Sequence, residues 1–114
     1  MRVIVEGSYR RRVTKRFGPL RSEKWEDEPF RWEEEVGVNI PHNYTAITNG
    51  FELAWEQNQD RIFVRANIRS RPFLLGDARI DEQKVIPFTV HSVAGVEVGG
   101  RISYIPDKTS KAKP

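Results

Sequence analysis

Between Arg61 and Arg69 the chain alternates without error. Ile62, Val64, Ala66 and Ile68 hold the even positions; Arg61, Phe63, Arg65, Asn67 and Arg69 hold the odd ones. A period of two sends successive side chains to opposite faces of an extended strand, whereas a helix would scatter these apolar residues around its circumference. A strand with one apolar face is not stable alone. It needs hydrogen-bonded neighbours and a second layer over that face.

The same spacing recurs elsewhere, and helical periodicity barely appears. Val3 and Val5 point one way in a first short strand, with Gly7-Ser8 as a bend. From Tyr9 to Phe17 the odd positions Tyr9, Val13 and Phe17 look core-facing, although Arg11 and Lys15 interrupt them, while Arg10, Arg12, Thr14 and Arg16 form a polar face. Gly18-Pro19 closes that strand, because proline lacks the ladder N–H and glycine relaxes a turn. Ser22 to Glu35 is ambiguous: a short helix capped by Ser22 and ended before Pro29, then a strand through Phe30, Trp32 and Val36 that Val38 and Ile40 extend to Pro41.

Asn49-Gly50 predicts a tight turn between Tyr44–Ile47 and a strand carrying Phe51, Leu53 and Trp55 on one face. Pro72 ends the Arg61 strand, and Phe73 to Gln83 reads as a loop or one helical turn. Ile86, Phe88 and Val90 return to strand spacing, with Pro87 marking an edge or an entry point. Val96 and Val98, then Gly99-Gly100, then Ile102 and Tyr104 read as a two-residue-loop hairpin. The expected fold is therefore mainly β: one small antiparallel barrel of the OB or SH3-like kind, or a sandwich, of about seven short strands with at most one or two helical turns. It spans residues 1–106, with a short, basic, flexible tail at 107–114.

At 114 residues the chain is long enough to bury a real core without staples, and three Trp, three Tyr and six Phe supply the apolar area. With no cysteine there is no disulfide framework, no thiolate nucleophile and no thiolate zinc site. Glu6 follows Met1 too soon for a secretory leader, and no apolar run approaches the ~20 residues of a membrane span. A soluble, cytoplasmic protein, or one carried into a cytoplasm by a virus or mobile element, is the expectation. Asn43-Tyr44-Thr45 then matches the glycosylation pattern by chance.

Catalytic ingredients are sparse. His42 and His91 are the only histidines and stand in no recognised spacing with carboxylates. In a strand only Glu33 and Glu35 of Glu33-Glu34-Glu35 converge, which reads as a solvated acidic edge before it reads as a magnesium site. Gly95, Gly99 and Gly100 sit among short strands and not between a strand and a helix, where a phosphate loop would be. The expectation is a non-catalytic protein without metal or cofactor.

Charge is the more informative signal, because the net +3 hides blocks of opposite sign. Residues 1–21 hold seven bases against Glu6, residues 22–35 seven acids against Lys24 and Arg31, and residues 61–71 four arginines and no acid. An extended Arg61, Phe63, Arg65, Asn67, Arg69 and Arg71 would set these side chains along one face at intervals of about 6.6 Å, twice the rise per residue, with guanidiniums around one aromatic. That suits the phosphates and bases of a single-stranded nucleic acid, DNA or RNA. Arg10, Arg12 and Arg16 extend the same surface if the two strands lie side by side.

An alternative is a protein-interaction or assembly subunit, for example of a phage or another multi-protein particle. There the acidic face of one copy meets the basic face of the next in a homo-oligomer, with Trp25, Phe30, Trp32, Glu33 and Glu35 as contacts. A carbohydrate-binding sandwich stacking sugars on Trp55 or Trp32 is a third reading. Against the first reading stands the acidic segment, which has carboxylates enough to pair with the arginines across neighbouring strands.

Overall fold

The structure, a computed structural model, describes residues 1–36, 42–48, 50–91 and 95–107, with His42 described in its backbone alone. The expected strand extension through Val38 and Ile40 to Pro41, the side chain of His42, the turn residue Asn49 and the tail from 108 onward lie outside the described residues. Eight strands follow in chain order: β1 (Arg2–Phe17), β2 (Leu20–Glu35), β3 (His42–Thr48), β4 (Phe51–Asn58), β5 (Arg61–Ile68), β6 (Arg71–Arg79), β7 (Lys84–His91) and β8 (Val96–Ile105). No helix occurs among the described residues.

The strands sort into two four-stranded antiparallel sheets. Sheet A runs β2-β1-β8-β7 and sheet B runs β3-β4-β5-β6. Their apolar faces share one core. Val3, Val5, Val98, Ile102 and Tyr104 come from sheet A, and Phe51, Leu53, Ile62, Val64 and Ile68 from sheet B, each at most 1 % exposed. Tyr9 stacks on Phe51 at 5.3 Å between ring centroids, and Phe30 meets the same ring edge-on at 5.1 Å. Both contacts cross from sheet A to sheet B, joining the layers with the offset and edge geometries that aromatic rings prefer.

The prolines follow the ladder. Pro29, Pro72 and Pro87 all lie within strands, namely β2, β6 and β7, and each of these is the outermost strand of its sheet. An edge strand leaves one side unpaired, so a missing N–H costs nothing there. The edge expected from Pro87 is therefore present. The helix considered at Ser22 is strand, and of the stretch from Phe73 to Gln83 read as a loop or helical turn, Phe73 to Arg79 is strand and only residues 80–83 turn into β7.

Two other expectations are corrected. Gly99-Gly100 makes no hairpin: β8 runs straight through it, and Gly100 stands opposite Gly7 of β1. A methyl group on Gly7 would fall on the Gly99 carbonyl oxygen, and one on Gly100 on the Glu6 carbonyl oxygen. Only glycine lets the two backbones approach so closely, so the pair serves packing rather than a turn. For the same reason Gly7-Ser8 is no bend, and β1 continues unbroken for 16 residues.

That length is the fold's distinguishing feature. β1 and β2 pair along their whole length, from Arg2 opposite Glu35 to Phe17 opposite Leu20. β8 accompanies β1 only as far as Arg11 opposite Val96, and Arg12 N then donates to Gly95 O at 2.8 Å. Beyond that point the hairpin continues as a two-stranded ribbon, Arg12–Phe17 against Leu20–Trp25, reaching about 20 Å at 3.3–3.4 Å per residue. The molecule measures 70 × 22 × 17 Å as a result. At the tip, Gly18 adopts a φ of 60°, as the first position of a two-residue hairpin turn of the primed kind requires.

Candidate nucleic-acid interface

The two basic strands do not lie side by side: β1 belongs to sheet A and β5 to sheet B. Each therefore meets its own neighbours, and the neighbours decide what the arginines do.

On β5 the neighbours are carboxylates. Arg61 Nε donates to Asp77 Oδ2 of β6 at 2.7 Å, and this hydrogen-bonded carboxylate holds the guanidinium pKa above its ordinary value. Arg65 lies 3.5 Å from Glu56 of β4 and rests over the ring of Phe63 at 5.9 Å. Asn67 stands opposite Glu52 and Pro72. The strand ends at Ile68, after which Arg69 and Ser70 turn with φ of 49° and 67°. Arg71 opens β6 opposite Ile68, so it does not continue the row. Arg69 and Arg71 make no ion pair among the described residues, but they stand at a corner and not along a face.

A shallow cleft of about 430 Å³ lies over this part of sheet B. Its floor is Ala54, directly opposite Tyr44 on one side and Arg65 on the other. Glu52, Glu56 and Asn67 line it as well. The small residue in a central strand makes the depression. Glu56 is already engaged by Arg65, so the polar groups are partly spent on one another.

The body of sheet A is likewise compensated. Arg10 meets Asp27 at 2.6 Å and Glu97 at 3.7 Å, and Arg11 meets Glu26 at 3.7 Å. Glu33 and Glu35 bind Arg2 at 3.4 and 3.2 Å, and Arg31 is shared by Glu6 and Glu33. Apart from Arg31–Glu33, which lies within β2, these are cross-strand pairs on an exposed surface, worth a few tenths of a kcal/mol each. Their consequence is cancellation of charge.

The ribbon differs. Its cations are Arg12, Lys15, Arg16, Arg21 and Lys24, and its one carboxylate is Glu23, which Arg21 holds at 3.0 Å. Arg12, Lys15, Arg16 and Lys24 have no ion pair among the described residues. Arg16 stands directly opposite Arg21 in the register, an arrangement of like charges that weakens a strand pair. Phe17 and Leu20 close the tip and are 65 % and 70 % exposed. Trp25, expected as a contact anchor, is 40 % exposed, with the Arg10 guanidinium 5.1 Å from its ring centre.

Of the other expected anchors, Phe30 packs against the core, and Trp32 is buried in it at 5 % exposure. Trp55 is buried too, so neither tryptophan offers a platform to a sugar. The sequence reading placed Phe17 toward the core, whereas it stands exposed at the tip, and it gave no binding role to Lys15, Leu20, Arg21 or Lys24. A signal was available: from Arg10 to Arg16 and from Leu20 to Lys24 neither face has the apolar row a core would require, so the paired segments had to stand clear of it.

Among the described residues no three His, Asp or Glu side chains gather as a metal site would need, and no helix is long and apolar enough to cross a membrane. Comparison with known proteins gives no matching family model, no matching curated protein and no matching solved structure.

Proposed function

We propose that the protein is a non-catalytic nucleic-acid-binding module that engages its ligand through the projecting ribbon of β1 and β2. The observation that carries this reading is the uncompensated charge of that ribbon. It holds five cations against one carboxylate, while most arginines of the body are paired with acids, Arg69 and Arg71 at their corner excepted. A two-stranded ribbon is marginal alone in water, and setting Arg16 opposite Arg21 weakens it further. A polyanion relieves that repulsion and gains charge-assisted hydrogen bonds from guanidiniums and ammoniums that nothing else occupies. Of the residues first expected to bind, Arg12 and Arg16 keep the role. Arg10, Arg61 and Arg65 are structural on this reading, and Phe63 and Asn67 accompany them.

The test compares the full chain with a variant in which Asn-Gly replaces residues 12–25, joining Arg11 to Glu26. Fluorescence anisotropy with labelled oligonucleotides should show binding that weakens steeply with salt, with a log–log slope of about −3 on a single strand and about −4 on a B-form duplex for four or five contacts. The shortened variant should keep its fold and lose binding. Equal binding by both proteins would refute the reading.

A second reading, an assembly subunit, is favoured by one observation, the exposed Phe17 and Leu20 at the tip. Aromatic and arginine-rich tips serve as anchors in protein contacts, and a second copy or a particle component would then cover them. Light scattering distinguishes it: a homo-oligomer that dissociates on loss of residues 12–25 supports assembly, and a monomer that binds oligonucleotides supports the first reading.

A further inference from the structure

The nucleic acid that fits the ribbon is double-stranded DNA, and this inference rests on the nucleic-acid reading above. The ribbon's charge is arranged on both of its faces. From the register, Arg12, Arg16 and Arg21 share one face, together with Thr14, Glu23 and Trp25. Lys15 and Lys24 share the other, together with Val13, Ser22, Phe17 and Leu20. A single strand lies along one face of a ribbon and leaves the opposite cations unused. A duplex groove has two phosphate walls, one for each face.

The aromatic residues argue the same way. Single strands are held by stacking successive bases on a series of exposed rings. Here Trp25 already has the Arg10 guanidinium beside its ring at 5.1 Å, and the other ring on the ribbon is Phe17, at the tip. There is no row of platforms. At the leading end, the exposed Phe17 and Leu20 instead offer apolar contact to the thymine methyl groups that face the major groove.

Dimensions agree. The major groove of B-DNA, about 12 Å wide and 8.5 Å deep, admits a two-stranded ribbon. The ribbon's reach of about 20 Å exceeds that depth, so the body stays outside the groove. The major groove of an A-form RNA duplex is too narrow for side chains to read. Where the ribbon joins the body, Glu26, Asp27 and Glu28 begin, with Glu97 beside them on β8. Arg10 pairs there with Asp27 and Glu97, and Arg11 with Glu26, so the ribbon's uncompensated charge ends where it meets the body.

We infer that the β1–β2 ribbon inserts into a groove of double-stranded DNA. Arg12, Arg16 and Arg21 then face one phosphate wall, Lys15 and Lys24 face the other, and Phe17 and Leu20 lead.

The experiment measures binding of the full chain to four labelled or competing polyanions: a B-form DNA duplex, its single strand, an RNA duplex of the same sequence, and polyglutamate. Two paired variants, Arg12→Gln with Arg16→Gln and Lys15→Gln with Lys24→Gln, remove the unpaired cations of one face each, Arg21 being held by Glu23, and leave a polar side chain in each place so that the ribbon is retained. The DNA duplex should bind at least tenfold more tightly than the single strand or the RNA duplex. Each paired variant should weaken duplex binding about tenfold. A single strand bound as tightly as the duplex, or loss confined to one face, overturns the groove inference and leaves the nucleic-acid reading standing. No binding to any nucleic acid, or equal displacement by polyglutamate, overturns both.

Discussion

On the outer face of sheet B, Arg61 is hydrogen-bonded to Asp77 and Arg65 is paired with Glu56, each carboxylate supplied by a neighbouring strand. On the ribbon, Arg12 faces Trp25 and Arg16 faces Arg21. The two regions are built from the same residue type at the same strand spacing. They differ only in what the register sets beside them, and that decides whether a guanidinium is spent inside the molecule or offered outside it. A charge count along the chain does not tell these cases apart, because the compensating groups are distant in sequence. Asp77 is 16 residues from Arg61, and Glu6 is 95 residues from Arg101, whose Nε donates to it at 2.9 Å.

The largest expected effect separates body from ribbon by stability. Gly100→Val drives a side chain onto the Glu6 backbone, where no rotamer relieves the clash. It should destabilise the fold by more than about 4 kcal/mol, the range reached when close-packed backbone has to move. Loss of residues 12–25 should leave the denaturation midpoint of the body nearly where it was. Thermal or urea unfolding of both variants checks this. A Gly100→Val protein as stable as the parent would mean that β1 and β8 do not approach as described.

Charge reversal is the next step down. Arg12→Glu with Arg16→Glu should reduce affinity for nucleic acid more than tenfold, because each reversal removes one phosphate contact and adds one repulsion. Arg61→Ala with Arg65→Ala should change it less than threefold. Salt titrations of both double variants give the comparison directly. If the β5 pair proves the more damaging, the ion pairs on sheet B open for the ligand and the assignment of the site reverses.

Asp77→Asn probes the same contrast from the other side, with a smaller effect. It leaves Arg61 without its partner while keeping the shape of the side chain. Sheet B should then gain a weak, salt-sensitive affinity for polyanions, a few-fold above the parent, measurable most clearly when residues 12–25 are absent. No gain would mean that ion pairing is not what silences the β5 row.

The strands themselves were largely legible. β5 announces itself by alternation, Asn49-Gly50 separates β3 from β4, and Pro87 marks an edge. What was not legible depends on a partner strand. Gly99-Gly100 looks like a turn because glycine pairs serve turns and close approaches alike, and only Gly7 across the ladder tells which. The first part of β2, Ser22 to Glu28, was ambiguous because a ribbon with two wet faces has no alternation to show, while Phe30 and Trp32 further on alternate toward the core. The ribbon's cations were counted in the basic opening block, yet the weight of the site was placed on β5. Four arginines and no acid between 61 and 71 looked like one unpaired row, but β5 holds only Arg61 and Arg65, to which β6 and β4 bring Asp77 and Glu56.

The smallest effect lies where the two layers meet. The Tyr104 side chain is buried, and its hydroxyl is 3.5 Å from the Ile62 carbonyl oxygen, at the long limit of a hydrogen bond. Burial holds its pKa well above the ordinary value near 10, and the charge of Asp77 adds to this while Arg61 opposes it. Above about pH 10 the unfolded chain therefore releases a phenolic proton that the folded chain keeps. The unfolded state then binds fewer protons, so stability is complete below that pH and declines as pH rises toward the folded-state value. Tyr104→Phe abolishes this contribution. Its unfolding free energy should fall less steeply between pH 10 and 11 than the parent's, and at pH 7 it should differ by less than about 1 kcal/mol, since the lost hydrogen bond is weak. Urea unfolding at the three pH values measures both. Because Asp77 holds Arg61 and also disfavours the Tyr104 phenolate, Asp77→Asn should soften the alkaline decline as well. Parallel slopes in the parent and in Asp77→Asn would leave burial alone responsible for the shift and would detach the core from the charge pattern of sheet B.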